Sequence, residues 1–332
     1  MGWTMKKIIL FLGVMVLFIT GCGNYSEKDI IKELGKRIED SYKLSGELSI
    51  TNNEDIYNYD VEVSYKKDNF YKVSLTNTSN NHTQIILKNN DGVFILTPAL
   101  NKSFKFQSDW PYTNSQIYLL SALLNDIEND SDRTFKETED GYEFITKVNY
   151  PNNKNLVNQK IVLDKDLNIE EVKIYDSNDS IRMEMDFDNI DYSPTFKDNY
   201  FELDTIMKTF EEIDVVESSN LEESIYPLFL PSGTKLTSSE KVTTDSGDRI
   251  IMTFEGDKPF LLVEENASAM EEFTIIPTNG EPYMLMDTLG VMTDNSLSWT
   301  SNGIDYYIVS DVMSQDELVE VAQSISVLPT MK

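Results

Sequence analysis

The stretch IYNYDVEVSY, residues 56–65, decides the fold because its side chains alternate with a period of two. Polar residues occupy every second position, namely Asn58, Asp60, Glu62 and Ser64. Successive side chains of a β-strand point to opposite faces, so the large apolar groups between them share one face. Those groups are Tyr57, Tyr59, Val61, Val63 and Tyr65. The stretch predicts a strand with one apolar face and one wet face.

The alternation recurs after this strand. Tyr71, Val73 and Leu75 repeat it beyond the turn KKDN, and the turn NNDG at 89–92 precedes the apolar run VFIL. Four further runs have strand character: YEFITKV at 142–148, QKIVLD at 159–164, EEVKIY at 170–175 and IRMEMDF at 181–187. We therefore expect a long antiparallel meander with one apolar face.

Two segments have a helical period instead. The first begins at Ser26, which has Asp29 three residues later as a variant capping box, and is predicted to run from Glu27 to Lys43 with Gly46 beyond its end. Its apolar residues recur every four positions at Ile30, Leu34, Ile38 and Tyr42. The second covers residues 115–130. Both are best placed over the apolar face of the sheet, which makes the first unit an α+β domain: a curved antiparallel sheet with a helical lid.

A second, smaller α+β unit follows. Residues 205–219 lack a clear period and are predicted as a linker, with residues 22–204 as the first domain and 220–332 as the second. Predicted strands of the second unit are RIIMTF, PFLLVEE, FTII, LSW and IDYYIVS. A helix is predicted to close it, because Ser314 and Glu317 form a capping box ahead of an apolar face.

The N-terminus has the pattern of an export signal. Lys6 and Lys7 precede an apolar core at 8–19 and small residues, and that core of about a dozen residues is shorter than the roughly 20 that a spanning helix needs. Residues 19–22, ITGC, resemble the lipobox of bacterial lipoproteins, which implies removal of residues 1–21. The same resemblance implies that Cys22, the only cysteine, carries a thioether-linked diacylglycerol and an N-acyl chain. Two or more acyl chains anchor a protein stably to a bilayer.

The charge balance excludes one class of partner. The formal net charge is −29, and loss of Lys6 and Lys7 with the signal gives −31. A chain this acidic is repelled by nucleic acid, so we expect no nucleic-acid binding. Hydrophobic residues make up 40% of the sequence, which indicates folded domains and not an acidic tail.

Residues for catalysis or metal binding are scarce, so we predict a protein that is not an enzyme and holds no metal. The single histidine, His82, lies in a turn where an exposed imidazole is expected, and no nucleophile elbow accompanies it. Adjacent carboxylates such as Glu264 and Glu265 point to opposite faces of a strand. Calcium remains an alternative at two acidic stretches, which lack the EF-hand glycine and glutamate: Asp126, Glu128, Asp130 and Asp132, and DSND at 176–179.

The block QIILKNNDGVFILTPALNKSFKFQSDWPYTNSQIYLLSALLNDI, residues 84–127, resembles YdcC-type sporulation lipoproteins of Gram-positive spore formers, a branch of the LolA-like superfamily. The resemblance runs from Cys22 to about Leu203. It implies a half-barrel wrapped round an apolar cavity, and a location at the outer face of the cytoplasmic membrane, at the mother cell or forespore during spore formation. The second unit, with YPLFLPSG at 226–233, resembles a domain of unknown function in exported proteins.

The apolar stripe on residues 57–65 then has two interpretations, as packed core or as the wall of a ligand cavity. Three tyrosines with hydroxyls that need partners suit a partly hydrated wall. We expect a membrane-tethered, non-enzymatic protein that binds an acyl chain, a lipid or an apolar peptide, with an envelope or cortex protein as a further partner. A lipid-sensing or envelope-sensing regulator is the alternative, and an envelope hydrolase is a third hypothesis.

Overall fold

The computed structural model describes residues 25–52, 55–111, 115–210, 221, 224–244 and 247–325. These residues form two β-sheets and four α-helices. The predicted signal peptide and Cys22 lie outside the described residues. None of the described helices is both long enough and apolar enough to cross a bilayer.

Helix α1, Glu27–Arg37, opens the described chain and has the predicted capping box. The Ser26 hydroxyl accepts from the Asp29 amide at 3.3 Å, and the Asp29 carboxylate accepts from the Ser26 amide at the same distance. The helix ends six residues before the predicted end at Lys43. Tyr42 belongs instead to strand β1, Ser41–Asn52.

The helix was predicted to extend to Lys43 because Gly46 follows it as a possible stop, but Gly46 has another role. It lies inside β1 at a β-bulge, where an added Cβ would be 2.1 Å from the Asp186 carbonyl oxygen of the neighbouring strand. The glycine is therefore needed for close backbone approach, and its interpretation as a helix stop was wrong.

The first sheet is a curved antiparallel meander in which most of the predicted strands are found. Its strand order is β6-β5-β4-β3-β2-β1-β11-β10-β9-β8-β7, with one further strand beside β6. The bounds are β2 Asp55–Lys66, β3 Phe70–Asn77, β4 Thr83–Asn89, β5 Gly92–Thr97, β6 Lys102–Phe106, β7 Thr134–Glu137, β8 Gly141–Lys147, β9 Leu156–Asp164, β10 Ile169–Asp176 and β11 Ile181–Asp191.

Two helices cover the apolar face of this sheet, as predicted. Helix α2, Leu120–Asn129, begins five residues later than expected, and α1 lies beside it. Ile30 and Leu34 of α1, with Leu120 and Leu123 of α2, pack into one core with the strands. The curved sheet with its helical lid confirms the predicted α+β class.

The other face of the sheet is also covered along β4 and β5. Helix α3, Leu203–Lys208, packs Ile206 and Met207 against Ile85 and Leu87. Both faces of these strands are therefore buried, which accounts for the continuous apolar run VFIL. The predicted linker at 205–219 thus starts within a helix, and residues 211–220 lie outside the described part.

The second sheet has seven strands and its own core. Its order is β12-β13-β14-β19-β18-β17-β16, and helix α4, Gln315–Gln323, packs on it behind the predicted Ser314 cap. The bounds are β12 Thr234–Thr244, β13 Gly247–Gly256, β14 Phe260–Asn266, β16 Glu281–Met284, β17 Leu289–Met292, β18 Ser296–Ser301 and β19 Ile304–Val309.

Strand β15, Thr274–Thr278, leaves the second unit and pairs in parallel with β6 of the first sheet. The FTII run was predicted as a strand of the second unit, and that placement was wrong. A strand added beside β6 satisfies an edge that would otherwise expose unpaired backbone groups. The domain boundaries at 204 and 220 stay predictions, but the two units share a sheet.

Candidate ligand cavity between the two units

The hairpin formed by β16 and β17, residues 281–292, inserts into the first unit. Met286, Leu289 and Val291 are buried and belong to the same hydrophobic core as α1, α2 and the curved sheet. The second unit therefore supplies part of the filling of the half-barrel. We call residues 281–292 the inserted hairpin.

Polar side chains of the first sheet hold the tip of the inserted hairpin. The Tyr59 hydroxyl donates to the Met286 carbonyl at 2.7 Å. The Gln84 side-chain carbonyl accepts from the Leu289 amide at 2.6 Å and from the Thr288 hydroxyl at 2.9 Å. These bonds satisfy backbone groups that the insertion removes from water.

We expect Gln84→Ala to lower the free energy of unfolding by about 1–3 kcal/mol, because it leaves the buried Leu289 amide without its partner and removes one of the two acceptors of the Thr288 hydroxyl. Thermal unfolding followed by circular dichroism measures this. Thr76→Ala is the matched control, since the half-buried Thr76 hydroxyl bonds to the Thr83 hydroxyl at 2.8 Å, away from the inserted hairpin, and its loss should change stability much less. Equal effects of the two variants would contradict the proposed clamping by Gln84.

A cavity of about 510 Å³ lies where the half-barrel, the inserted hairpin and α4 meet. This volume is in the range of roughly 300–1,000 Å³ that is typical of small-molecule sites. Its wall combines aliphatic, aromatic, methionine and proline side chains from both units: Ile50, Ile86, Trp110, Ile117, Tyr118, Tyr150, Leu156, Met183, Pro282, Tyr283, Met284, Leu285, Met286, Leu289 and Val319.

The remaining lining residues are polar or charged, and their cations are already paired. Lys154 lies 3.8 Å from Asp316, and Arg182 lies 2.7 Å from the buried Asp176. Burial and the neighbouring carboxylates of Glu317 and Asp316 raise the pKa of Glu320. Both cations of the lining therefore already have a carboxylate beside them.

The predicted stripe lies in the packed core and not around this cavity. Tyr59, Val61 and Val63 are buried in the first core, and Tyr57 and Tyr65 pack against it. The Tyr65 ring contacts the rings of its neighbours Tyr42 and Tyr71, with centroids 5.1 and 4.8 Å apart. Of the five stripe residues, only Tyr59 lines either of the two cavities described here, and it lines the smaller one.

Sequence reasoning missed most of the residues that do line the larger cavity. They come from the end of β1, the start of β11, the loop after β8 and the inserted hairpin, which are far apart in the chain. One local signal was available: residues 283–286, Tyr-Met-Leu-Met, form an apolar run rich in methionine, a residue that suits irregular apolar surfaces.

The smaller cavity has a volume of about 50 Å³ and holds His82, Asp287 and Ser301 in its wall. It has room for only a few water molecules. His82 is half-buried, so the expectation of an exposed imidazole was wrong, and burial lowers its pKa. An aspartate partner would raise that pKa. Asp287 accepts from the Ser301 hydroxyl, and burial raises its pKa.

The acidic stretches considered for calcium serve as local turns and caps. Asp126 accepts from Ser115 at 2.7 Å and Gln159 at 2.8 Å, and burial raises its pKa to about 6. Asp176 accepts from the Ser180 amide and from Arg182. Within the described residues, one cluster of three carboxylates has its oxygens close enough together to hold a cation. It consists of Glu171, Glu184 and Asp186. Lys173 pairs with the first two of these.

The architecture defines the class: an α+β protein in which an antiparallel sheet carries a helical lid, here with a second α+β unit inserted into it. The chain belongs to the family described as "Sporulation protein YdcC-like", which it matches over residues 5–201. It is 38% identical over 333 residues to "Sporulation protein YdcC" of Bacillus subtilis (strain 168), covering 97% of this chain and 98% of the relative. The resemblance expected from residues 84–127 is confirmed.

Solved structures resemble this chain at low TM-scores. The Pseudomonas aeruginosa MucA/MucB complex matches with a TM-score of 0.30 and 12% identity over 89% of this chain and 96% of the other. The LolA superfamily protein NE2245 from Nitrosomonas europaea matches with a TM-score of 0.29 and 11% identity over 55% and 99%. The fold description therefore rests on this chain's own strand order, and no function is taken from these structures.

Proposed function

We propose that this chain is an exported sporulation lipoprotein that is tethered through lipid on Cys22 and binds an apolar ligand without catalysing a reaction. Its place is the outer face of the cytoplasmic membrane of the mother cell or forespore. The ligand is an acyl chain, a lipid or an apolar peptide, and it occupies the cavity between the two units. An envelope or cortex protein is a further partner. The lipobox-like sequence and the family membership support the location.

The cavity carries the ligand proposal. It is of ligand size, and its wall has fourteen aliphatic, aromatic or methionine side chains. The pairing of Lys154 and Arg182 favours a ligand whose buried part is uncharged, because an anion there would be repelled by Asp316 and Asp176.

A regulator is the second candidate, and one observation favours it. Because the cavity wall includes the inserted hairpin and α4 of the second unit as well as strands of the first, a ligand there contacts both units. Binding would then change how firmly the units dock, and a partner protein could respond to that change.

Filling the cavity tests the ligand proposal. Met284 is half-buried and lines the cavity, so Met284→Trp places an indole where the ligand would lie. We expect native mass spectrometry of the fragment from Gly23 onward to show a co-purifying apolar adduct in the wild type and its loss in the variant. Leu261→Trp, at a half-exposed position in the second sheet, is the control and should keep the adduct. A wild type without any adduct, or an adduct retained in Met284→Trp, would refute the proposed site.

A further inference from the structure

We propose that one edge of the first sheet faces the bilayer, so that the protein stands on its membrane by strands β7 and β8. This membrane-facing edge consists of Tyr25, the first turn of α1 and the β7–β8 hairpin with its turn at 138–140. The proposal rests on the proposed lipidation of Cys22 and adds a defined orientation to it.

Covalent geometry limits how far this edge can lie from the lipid. Three residues separate the Cα atoms of Cys22 and Tyr25, and at about 3.3–3.6 Å per residue they span at most roughly 11 Å. The head-group layer on one side of a bilayer is itself roughly 5–8 Å thick. With the glycerol of the lipid attached to Cys22, Tyr25 lies within or just above the head groups.

The structure fixes where Tyr25 sits on the protein. Its amide donates to the Tyr142 hydroxyl of β8 at 3.2 Å, and the two rings meet edge to face with centroids 6.5 Å apart. Glu27 forms an ion pair with Arg133 at 2.6 Å, just before β7. The start of α1 is therefore bound to the β7–β8 hairpin at two points. The tether therefore leaves the protein at this edge, which is the part of the fold held nearest the lipid.

Tyr25 also has the chemistry of an interfacial residue. It is 45% exposed, and its ring combines an apolar body with a polar hydroxyl, as in the aromatic belts of membrane proteins. The second unit joins the sheet at its other end, because β15 pairs with β6 while β7 is the last strand of the order. The strand order thus separates the membrane-facing edge from the edge where the second unit is attached.

Charge does not bring this edge to the membrane. Its acidic residues outnumber its basic ones by six to three: Glu27, Asp29, Glu137, Glu139, Asp140 and Glu143 against Lys28, Lys136 and Lys147. Such a surface is weakly repelled by anionic lipid. The orientation therefore depends on the covalent tether, and the unlipidated fragment from Gly23 onward should not bind vesicles at all.

An exposed apolar segment offers a competing surface. Tyr226, Leu228 and Phe229 are 49%, 78% and 41% exposed in the segment that leads to β12. A membrane contact chosen by hydrophobicity alone would use this segment. The tether length argues against it, and the two surfaces can be told apart by labelling.

The experiment uses the full lipidated chain in phosphatidylcholine vesicles that contain a lipid with a spin label on its head group. Glu139→Cys and Leu228→Cys each receive a thiol-reactive fluorophore. Cys22 is the only native cysteine, and as a lipidated thioether it does not react. We expect the spin label to quench the fluorophore at 139 and to leave the one at 228 unchanged. Quenching at 228 without quenching at 139 would overturn the orientation.

Two controls separate this proposal from the proposed function. Wild-type protein should float with the vesicles and resist the thiol reagent. If it stays in the aqueous fraction and its Cys22 reacts, the anchor itself is refuted and the orientation falls with it. If it floats and resists labelling but neither introduced site is quenched, the anchor stands and the orientation is refuted.

Discussion

Met286→Asp is expected to separate the second unit from the half-barrel and to lower the free energy of unfolding by on the order of 3–5 kcal/mol. Met286 is only 7% exposed and packs in the core that the inserted hairpin shares with α1 and α2. A carboxylate there has no partner and must either stay desolvated or leave the core. The hairpin is therefore expected to withdraw.

Two tryptophans make the separation measurable. Trp110 is buried in the first core, and Trp299 stacks on Tyr306 in the second sheet with ring centroids 4.9 Å apart. In the fragment from Gly23 onward, which lacks Trp3, Trp299→Phe or Trp110→Phe leaves a single tryptophan that reports guanidinium unfolding of one unit. We expect coincident transitions in the parent and separate transitions once Met286→Asp is added.

Met270→Asp is the matched control for the charge. Met270 lies near the same junction, its amide donating to the Leu100 carbonyl at 3.0 Å, but its side chain is 37% exposed. An aspartate there remains hydrated and should leave the transitions coincident. Coincident, unshifted transitions in Met286→Asp would show that the shared core does not couple the two units.

The sequence predicted the elements whose signals are local. Apolar and polar residues alternate in the stripe at residues 57–65, and the runs on β8 to β11 have strand character. All of them fold as strands, and each pairs with a strand that is adjacent to it in the sequence. The Ser26 and Ser314 caps also depend only on residues three positions apart, and both are present. Periodicity and capping act over a few residues, so a pattern alone can reveal them.

What the sequence did not show depends on contacts between distant segments. Gly46 looked like a helix stop, although the backbone of β11 is what requires it. The FTII run has strand character, but its partner is β6, about 170 positions earlier in the chain. The cavity combines residues from Ile50 to Gln323, so no single stretch of sequence marks it, whereas the stripe at residues 57–65 is visible as a local pattern. No local pattern encodes such pairings.

A buried carboxylate in the second unit is the other feature that sequence could not reveal. Glu264 was expected to point away from Glu265, and it does: Glu265 pairs with Arg249 at 2.8 Å while Glu264 lies in the core and is 0% exposed. The Ile225 amide donates to one Glu264 oxygen at 3.1 Å, and among the described residues the other oxygen has no hydrogen-bond partner. Burial raises the pKa of Glu264 to about 7.

This pKa predicts the direction in which stability changes with pH. In the unfolded chain Glu264 ionises near its ordinary pKa of 4.5, whereas the folded protein keeps the proton until about pH 7. The folded state therefore holds more protons between these values, and stability falls as pH rises through that window. The total loss is roughly 3 kcal/mol, since each unit of pKa corresponds to about 1.4 kcal/mol. Above the folded pKa the loss is complete.

Glu264→Gln is expected to remove that loss, because the amide keeps the shape of the side chain and carries no charge. At pH 8 the variant should be more stable than the wild type by up to about 3 kcal/mol, and at pH 4 the difference should vanish or reverse. Guanidinium unfolding followed through Trp299 across this pH range measures the difference.

Asp126, whose pKa burial raises to about 6, adds a slope of the same sign to both proteins, and this contribution cancels in the comparison. Glu265→Gln, on the opposite face of the strand, should keep the wild-type slope. A stability difference between Glu264→Gln and wild type that stays constant from pH 4 to pH 8 would mean that folding does not raise the pKa of Glu264.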